Sequence, residues 1–238
     1  NYLADNDGFI VVYPDGIDKG WNDGRKDGEF NDGAHRENVD DVGFISALID
    51  KLVCDHNADP SRIYVTGISN GAMMSFRLAC ELTRKIAAVA PVAGSIPATM
   101  EPDCSPSGHL SVLIINGTDD PLVPYGGGEV GGKYQRIHRG KVLSVDESVK
   151  FWVDHDHCSA IPAVTKAPDR DPYDRTRTTI SRYANNTDGT EVVLYSIMGG
   201  GHTWPGGWQY LPSWLVGKTC HDFDADEVIW EFFEKHTR

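Results

Sequence analysis

Short apolar or β-branched runs alternate with amphipathic segments along most of this 238-residue chain, and that alternation limits the fold more than any other feature. Residues 8–13 (GFIVVY) form a continuous apolar run closed by Pro14-Asp15-Gly16, the signature of a buried strand. Residues 39–56 place Val42, Ile45, Leu48, Ile49 and Leu52 at helical spacing, with Asp40 or Asp41 as the cap. A strand is expected at 62–66, a helix at 72–82, strands at 87–93 and 110–115, and a helix at 144–155. Strands at 178–183, the more peripheral, and 191–197 precede a closing helix at 224–236. Such alternation implies an α/β fold with a mostly parallel sheet covered by helices on both faces. Two long loops, 17–38 and 121–143, interrupt it. Loops of that length in a compact domain tend to be functional or mobile. The length suits a single domain over 1–238.

Composition narrows the function classes. The formal charge is −13, which argues against nucleic acid and anionic lipid as partners. No apolar run approaches the ~18 residues of a membrane-spanning helix. Hydrophobic residues at 40% are enough for a packed core. The first residue is Asn1, and no charged-then-apolar leader follows it, so any targeting segment is expected to be absent from this stretch. The five cysteines are widely spaced with no C-x-x-C, which disfavours zinc ribbons and thioredoxin-type sites. An odd count leaves at least one thiol free. The expected setting is secreted or periplasmic, with one or two disulfides.

The sharpest local signal is Gly67-Ile68-Ser69-Asn70-Gly71. It fits G-x-S-x-G, lies between a β-branched strand and an Ala/Met/Leu-rich helix, and so has the strand–turn–helix setting of a nucleophile elbow. The bland alternative is a turn in which Ser69 only caps the helix. In the elbow reading, flanking glycines remove Cβ clashes and the backbone N–H of Asn70 faces a developing oxyanion. A serine needs a base, and the base an orienting carboxylate, in the chain order Ser, acid, His. After the fourth strand comes Gly117-Thr118-Asp119-Asp120-Pro121, where Asp119 and Asp120 compete for the acid role. After the last strand comes Gly199-Gly200-Gly201-His202-Thr203-Trp204-Pro205, a loop that can bring His202 inward.

Five ordered stretches carry a family likeness: 7–16 (DGFIVVYPDG), 64–74 (YVTGISNGAMM), 87–94 (AAVAPVAG), 116–125 (NGTDDPLVPY) and 199–207 (GGGHTWPGG). Over nearly the whole chain the sequence resembles the polyhydroxybutyrate depolymerase/feruloyl esterase family, α/β-hydrolases akin to carbohydrate esterase family one. The resemblance implies an α/β-hydrolase fold in which Ser69 is the nucleophile, His202 the base and Asp120, directly before the proline, the acid. It also implies an upstream strand ending in a His-Gly loop that supplies a second oxyanion N–H. No stretch here matches that loop, so the fold is expected to lack its N-terminal strands in this chain. Cys80 with Cys104 looks like a family bridge. The position where relatives often carry a partner for a cysteine like Cys158 reads Arg182-Tyr-Ala-Asn-Asn186, leaving Cys158 to pair with Cys220 or stay free.

The implied function is a serine carboxylesterase with no cofactor and no metal. Its substrates would be feruloyl or acetyl esters of plant-wall polysaccharide, or short-chain acyl esters. Polyester depolymerisation, acyl transfer and a non-catalytic polymer-binding module are the alternatives. Trp21 and Trp204 are candidates to line the substrate pocket, and Trp208, Tyr210 and Trp214 to extend an aromatic rim. Asp169, Asp171 and Asp174 form an acidic loop that could hold calcium, although the spacing of a known calcium loop is incomplete. Asn116 and Asn185 fit glycosylation acceptors.

Overall fold

The computed structural model describes residues 2–131, 138–185 and 187–238. Its central sheet has six strands: β1 (Tyr64–Ile68), β2 (Ala88–Val92), β3 (Ser111–Gly117), β6 (Ala163–Lys166), β7 (Arg177–Ala184) and β8 (Glu191–Met198). Their spatial order is β1-β2-β3-β8-β7-β6. The first four in that order run parallel, and β7 and β6 add antiparallel pairs at one side. Two short strands, β4 (Gly128–Glu129) and β5 (Lys141–Val142), pair separately within the 121–143 loop.

The central strand shows why the sheet is covered twice. Every residue of β3 is buried. Because successive side chains point to opposite faces, Val112 and Ile114 join one apolar cluster while Leu113 and Ile115 join the other. The first cluster packs under α3 (Asp41–His56), α4 (Asn70–Glu81) and α5 (Val145–His155), through Ile45, Phe76 and Trp152. The second packs under α7 (Ala225–Phe233), through Ile229, Phe232 and Phe233. Caps set where the helices begin. Asp40, not Asp41, accepts from the Gly43 N–H at the head of α3. Ser144 and Glu147 close a reciprocal capping box on α5. Asp41 is instead buried, where it accepts from the Asn22 N–H at 2.7 Å.

Three expectations need correction. The 8–13 run joins no strand ladder, and Ile10 is 55% exposed. Among the described residues no strand pairs with the outer edge of β1. Phe9 stacks on Trp230 with centroids 3.9 Å apart. An apolar run encodes a tendency to be buried, and the neighbour that would bury it is a separate matter. Second, the 178–183 strand is interior to the sheet, because β6 pairs outside it. β6 is four exposed residues, too short and too lacking in an apolar face to announce itself. Third, the 17–38 and 121–143 loops are partly structured. Besides β4 and β5 they hold a 3-10 turn at Ile17–Lys19 and a one-turn helix α2 (Gly33–Arg36). A short helix α1 (Tyr2–Asp7) precedes the 8–13 run, and a further single-turn helix, α6 (Ser213–Val216), follows the His202 segment.

A disulfide joins Cys80 on α4 to Cys104, with Cα atoms 5.2 Å apart. Cys54, Cys158 and Cys220 are free thiols. Cys158 and Cys220 occupy separate environments: Cys158 lies near the Asp156 and Thr190 carbonyls, Cys220 beside Thr178. Burial, then the charge of Asp156, pushes the Cys158 thiol up to about 11. No helix among the described residues is long and apolar enough to cross a membrane.

Candidate active site

Parallel pairing brings three distant stretches to one rim. Ile68 at the end of β1 is level with Val92, Val92 with Ile115, and two residues on Gly117 is level with Ile197. Ser69, Asp120 and His202 each follow one of these strand ends. Ligands and chemistry in open α/β sheets gather at the carboxyl ends of the strands.

Ser69 turns sharply between β1 and α4, with φ 60° and ψ −118°. A positive φ is costly for a residue with a Cβ and persists only where the surroundings enforce it. Its N–H is held by the Val92 carbonyl at 3.0 Å, and its own carbonyl accepts from the Met73 N–H. The hydroxyl makes no capping hydrogen bond. Capping therefore does not explain the residue type. Gly67 is required here: a Cβ would come within 2.7 Å of the Gly71 backbone. Gly71 plays a different part from the one expected. A Cβ on it would meet nothing within 4 Å, and it is its bare backbone that crowds Gly67.

The acid and the imidazole meet directly. His202 Nδ1 and Asp120 Oδ2 are 2.7 Å apart, and both residues are buried. The other carboxylate oxygen of Asp120 accepts from the backbone N–H groups of Leu122 and Val123, at 2.7 and 2.8 Å. Asp119, one residue earlier, is exposed and its carboxylate accepts from the Thr118 hydroxyl. With Nδ1 committed to a carboxylate, the neutral ring carries its proton there and leaves Nε2 as a base. The His202 loop is anchored by backbone: the Gly201 N–H donates to Lys218, the His202 N–H to Val216. Gly201 passes so close to Gly217 that a Cβ would lie 2.3 Å from the Gly217 Cα. The Tyr210 hydroxyl donates to the His202 carbonyl at 2.9 Å.

Asn70 has a second role the sequence did not disclose. Its backbone N–H heads α4, as the elbow reading requires. Its side chain bolts down the 17–38 loop: Oδ1 accepts from the Trp21 N–H (2.7 Å), and Nδ2 donates to the Trp21 carbonyl (2.9 Å) and to Asp23 Oδ2 (2.5 Å). Asp23 is fully buried and also takes Arg25 and His35. Burial opposes the charge on Asp23, but the His35 hydrogen bond and the Arg25 charge outweigh it and hold the carboxyl below its ordinary range. Burial likewise disfavours a charged His35, yet hydrogen bonds to Asp23 and Asp32 raise its pKa. The abundance of Asp, Arg and His in that loop was the available signal. Their convergence under one asparagine was not visible in it.

The aromatic candidates divide. Trp21 packs against the core and stacks on Phe44, centroids 6.5 Å apart. Trp204 donates its indole N–H to Asp226 at the start of α7. A cavity of about 430 Å³ is lined by residues including Asn22, Arg25, Phe30, Arg77, Met100 and Cys104, and by neither tryptophan nor Ser69. Trp208 and Trp214 are 93% and 78% exposed, near the Tyr210 that holds the His202 carbonyl. In the acidic loop, Asp169 pairs with Arg177 and Asp171 accepts from the Tyr173 N–H. Neither predicted glycosylation acceptor is available as a surface amide: Asn116 is 1% exposed, and Asn185 is 7% exposed with its Nδ2 donating to the Asp156 carbonyl.

A mostly parallel sheet between helical layers, with a strained serine at the strand–helix elbow and an aspartate–histidine pair on the same rim, defines an α/β-hydrolase. The chain belongs to the Phospholipase/Carboxylesterase family, which residues 30–158 match. It is 31% identical over 238 residues to the "Putative esterase NocK" of Nocardia uniformis subsp. tsuyamanensis, covering 98% of this chain and 67% of that protein. It is 29% identical over 202 residues to Feruloyl esterase B of Piromyces equi, covering 83% of this chain and 34% of the relative. A bifunctional acetylxylan esterase/xylanase, XynS20E of Neocallimastix patriciarum, is 24% identical over 220 residues, 90% of this chain and 28% of that one. The chain thus spans about a third or less of the length of the latter two.

Proposed function

We propose that the protein is a serine carboxylesterase whose Ser69 attacks an ester carbonyl. His202 Nε2 takes the hydroxyl proton as the new C–O bond forms, and the Asn70 N–H stabilises the tetrahedral oxyanion. Asp120 fixes the imidazole tautomer and steadies its charged form. Collapse returns the proton to the leaving alcohol and leaves an acyl-serine. His202 then activates water, which releases the acid and restores the serine. The observation that carries this reading is Ser69 itself: a non-glycine residue at φ 60° whose hydroxyl caps nothing. On p-nitrophenyl acetate or butyrate, Ser69→Ala is expected to abolish nearly all turnover while far-UV circular dichroism is unchanged. A phosphonate ester should label Ser69 covalently. A Ser69→Ala enzyme with undiminished turnover sinks the mechanism.

The proposed natural substrates are feruloyl or acetyl esters of plant-wall polysaccharide, in line with the names of two relatives. The exposed Trp208 and Trp214 support a polymeric substrate, since flat aromatic faces suit sugar rings and phenolic acids. They would also suit a polyester surface, so methyl ferulate and acetylated xylan should be compared with polyhydroxybutyrate film. Secretion or a periplasmic location fits the Cys80–Cys104 disulfide.

A further inference from the structure

Behind the His202 loop, the segment 169–176 leading into β7 meets the segment 218–224. The two are tied to the loop itself. The Arg175 carbonyl lies 3.0 Å from where a Cβ on Gly199 would sit, and the Gly206 N–H donates to the Cys220 carbonyl at 2.8 Å. At this junction Asp222 is fully buried. Its Oδ1 accepts from the Arg170 N–H at 3.0 Å, and its Oδ2 has no hydrogen-bond partner. Asp174 accepts from the N–H groups of Thr176 and His221. Thr176 is also fully buried, beside Asp174 and Cys220, and its hydroxyl has no partner of good geometry. One carboxylate oxygen from each aspartate and the Cys220 sulfur all lie within 4.8 Å of one another.

Two carboxylates this close cannot both stay charged without a counter-charge. Among the described residues no Lys, Arg or His side chain forms an ion pair with Asp174 or Asp222; His221 acts on Asp174 and Arg177 on Asp222 only as nearby charges, and Arg177 is itself paired with Asp169. The polar atoms left over are oxygens: Asp222 Oδ2 and the Thr176 hydroxyl, both in fully buried residues, beside the half-buried Asp174.

We infer that Asp174, Asp222 and the Thr176 hydroxyl form a binding site for a divalent cation of the calcium class, which clamps the approach to β7 onto the segment backing His202. The donors are hard oxygens, as calcium prefers. Calcium also accepts a flexible ligand geometry, where magnesium demands a near-ideal octahedron. Zinc would call for the Cys220 thiolate. That sulfur instead lies 3.6 Å from the Thr178 hydroxyl.

The test uses the whole chain, stripped with EDTA and then titrated with calcium chloride near neutral pH. Thermal melting and calorimetry are read in parallel. Saturating calcium is expected to raise Tm by about 5 °C with one ion bound per chain. Asp222→Asn and Asp174→Asn should each melt cooperatively and lose the shift, while Cys220→Ser should keep it. No heat and no Tm change up to about 10 mM calcium overturns the inference, since even weak extracellular sites bind below that level. If Asp222→Asn then raises the metal-free Tm, a proton shared between the carboxylates fills the place of the cation. A response to zinc alone that disappears in Cys220→Ser also overturns it. The readout is binding and melting, so the outcome is independent of whether the esterase assignment stands.

Discussion

His202 and His35 are both histidines set against buried aspartates, yet the two regions are built for opposite ends. His202 gives only Nδ1 to a carboxylate, Asp120, and among the described residues Nε2 makes no hydrogen bond. His35 gives Nδ1 to Asp32 and Nε2 to Asp23, so neither nitrogen remains for a substrate. Two carboxylates on one imidazole favour the cation and make a structural charge. One carboxylate on one nitrogen orients the ring and leaves the other nitrogen able to accept a proton. Chemistry needs an unsatisfied atom, whereas a buried scaffold cannot tolerate one. Asn70 lies between the two regions, with its backbone at the elbow and its side chain in the His35 network.

The contrast breaks most visibly at His202. His202→Gln is expected to lower kcat on p-nitrophenyl acetate by on the order of 10⁴-fold or more with the fold intact. Asp120→Asn should lose about 10⁴-fold through the wrong tautomer, while Asp119→Asn stays within a few-fold. Equal losses at both aspartates would contradict the assignment of Asp120.

His35→Gln should act on the other axis. Urea denaturation is expected to show a loss of about 3 kcal/mol, because a buried carboxylate loses one of its cationic partners, and kcat of the folded enzyme should change only a few-fold. If its kcat fell as far as that of His202→Gln, the division between the two histidines would fail. The pH dependence follows from the shifts. His35 has a raised pKa, so its contribution is complete below the ordinary value of 6.5 and disappears as pH rises through the higher folded value. Asp23 has a lowered pKa, so its contribution is present above 3.8 and is lost as pH falls through its folded value. The Tm gap between wild type and His35→Gln should therefore narrow as pH rises above about 6.5. A gap that widened over that range would reverse the sign of the His35 assignment. A loss far smaller than at His202 or Asp120 is expected for Asn70→Ala. Its N–H survives but the Trp21 clamp does not, so kcat should fall about tenfold through misplacement alone. A loss as large as that at Asp120 would instead make the side chain part of the chemistry.

The residue order carried much of this. Local periodicity located the four parallel strands and the four long helices to within a few residues, because apolar spacing and caps act over one or two turns. The elbow was legible because strain of that kind permits few residue types: Gly67 must be glycine, and the serine is bracketed by strand and helix. Misreadings fell where the deciding partner is far away in the chain. The 8–13 run has the composition of a strand and no described neighbour to pair with, and β6 has a neighbour but almost no apolar signal.

By itself the sequence determined the alternation of elements, the strained serine and the family likeness, all of which are written in short windows of spacing and residue type. Tertiary structure alone decided that Cys158 and Cys220 stay apart and that Asn70 clamps Trp21 and Asp23, and it set Asp120, the acid the resemblance implied, against His202 across 82 positions. The physical reason is that hydrogen bonds and charges depend on distances of a few ångströms in space, which the parallel register of β1, β2, β3 and β8 sets and linear spacing does not encode.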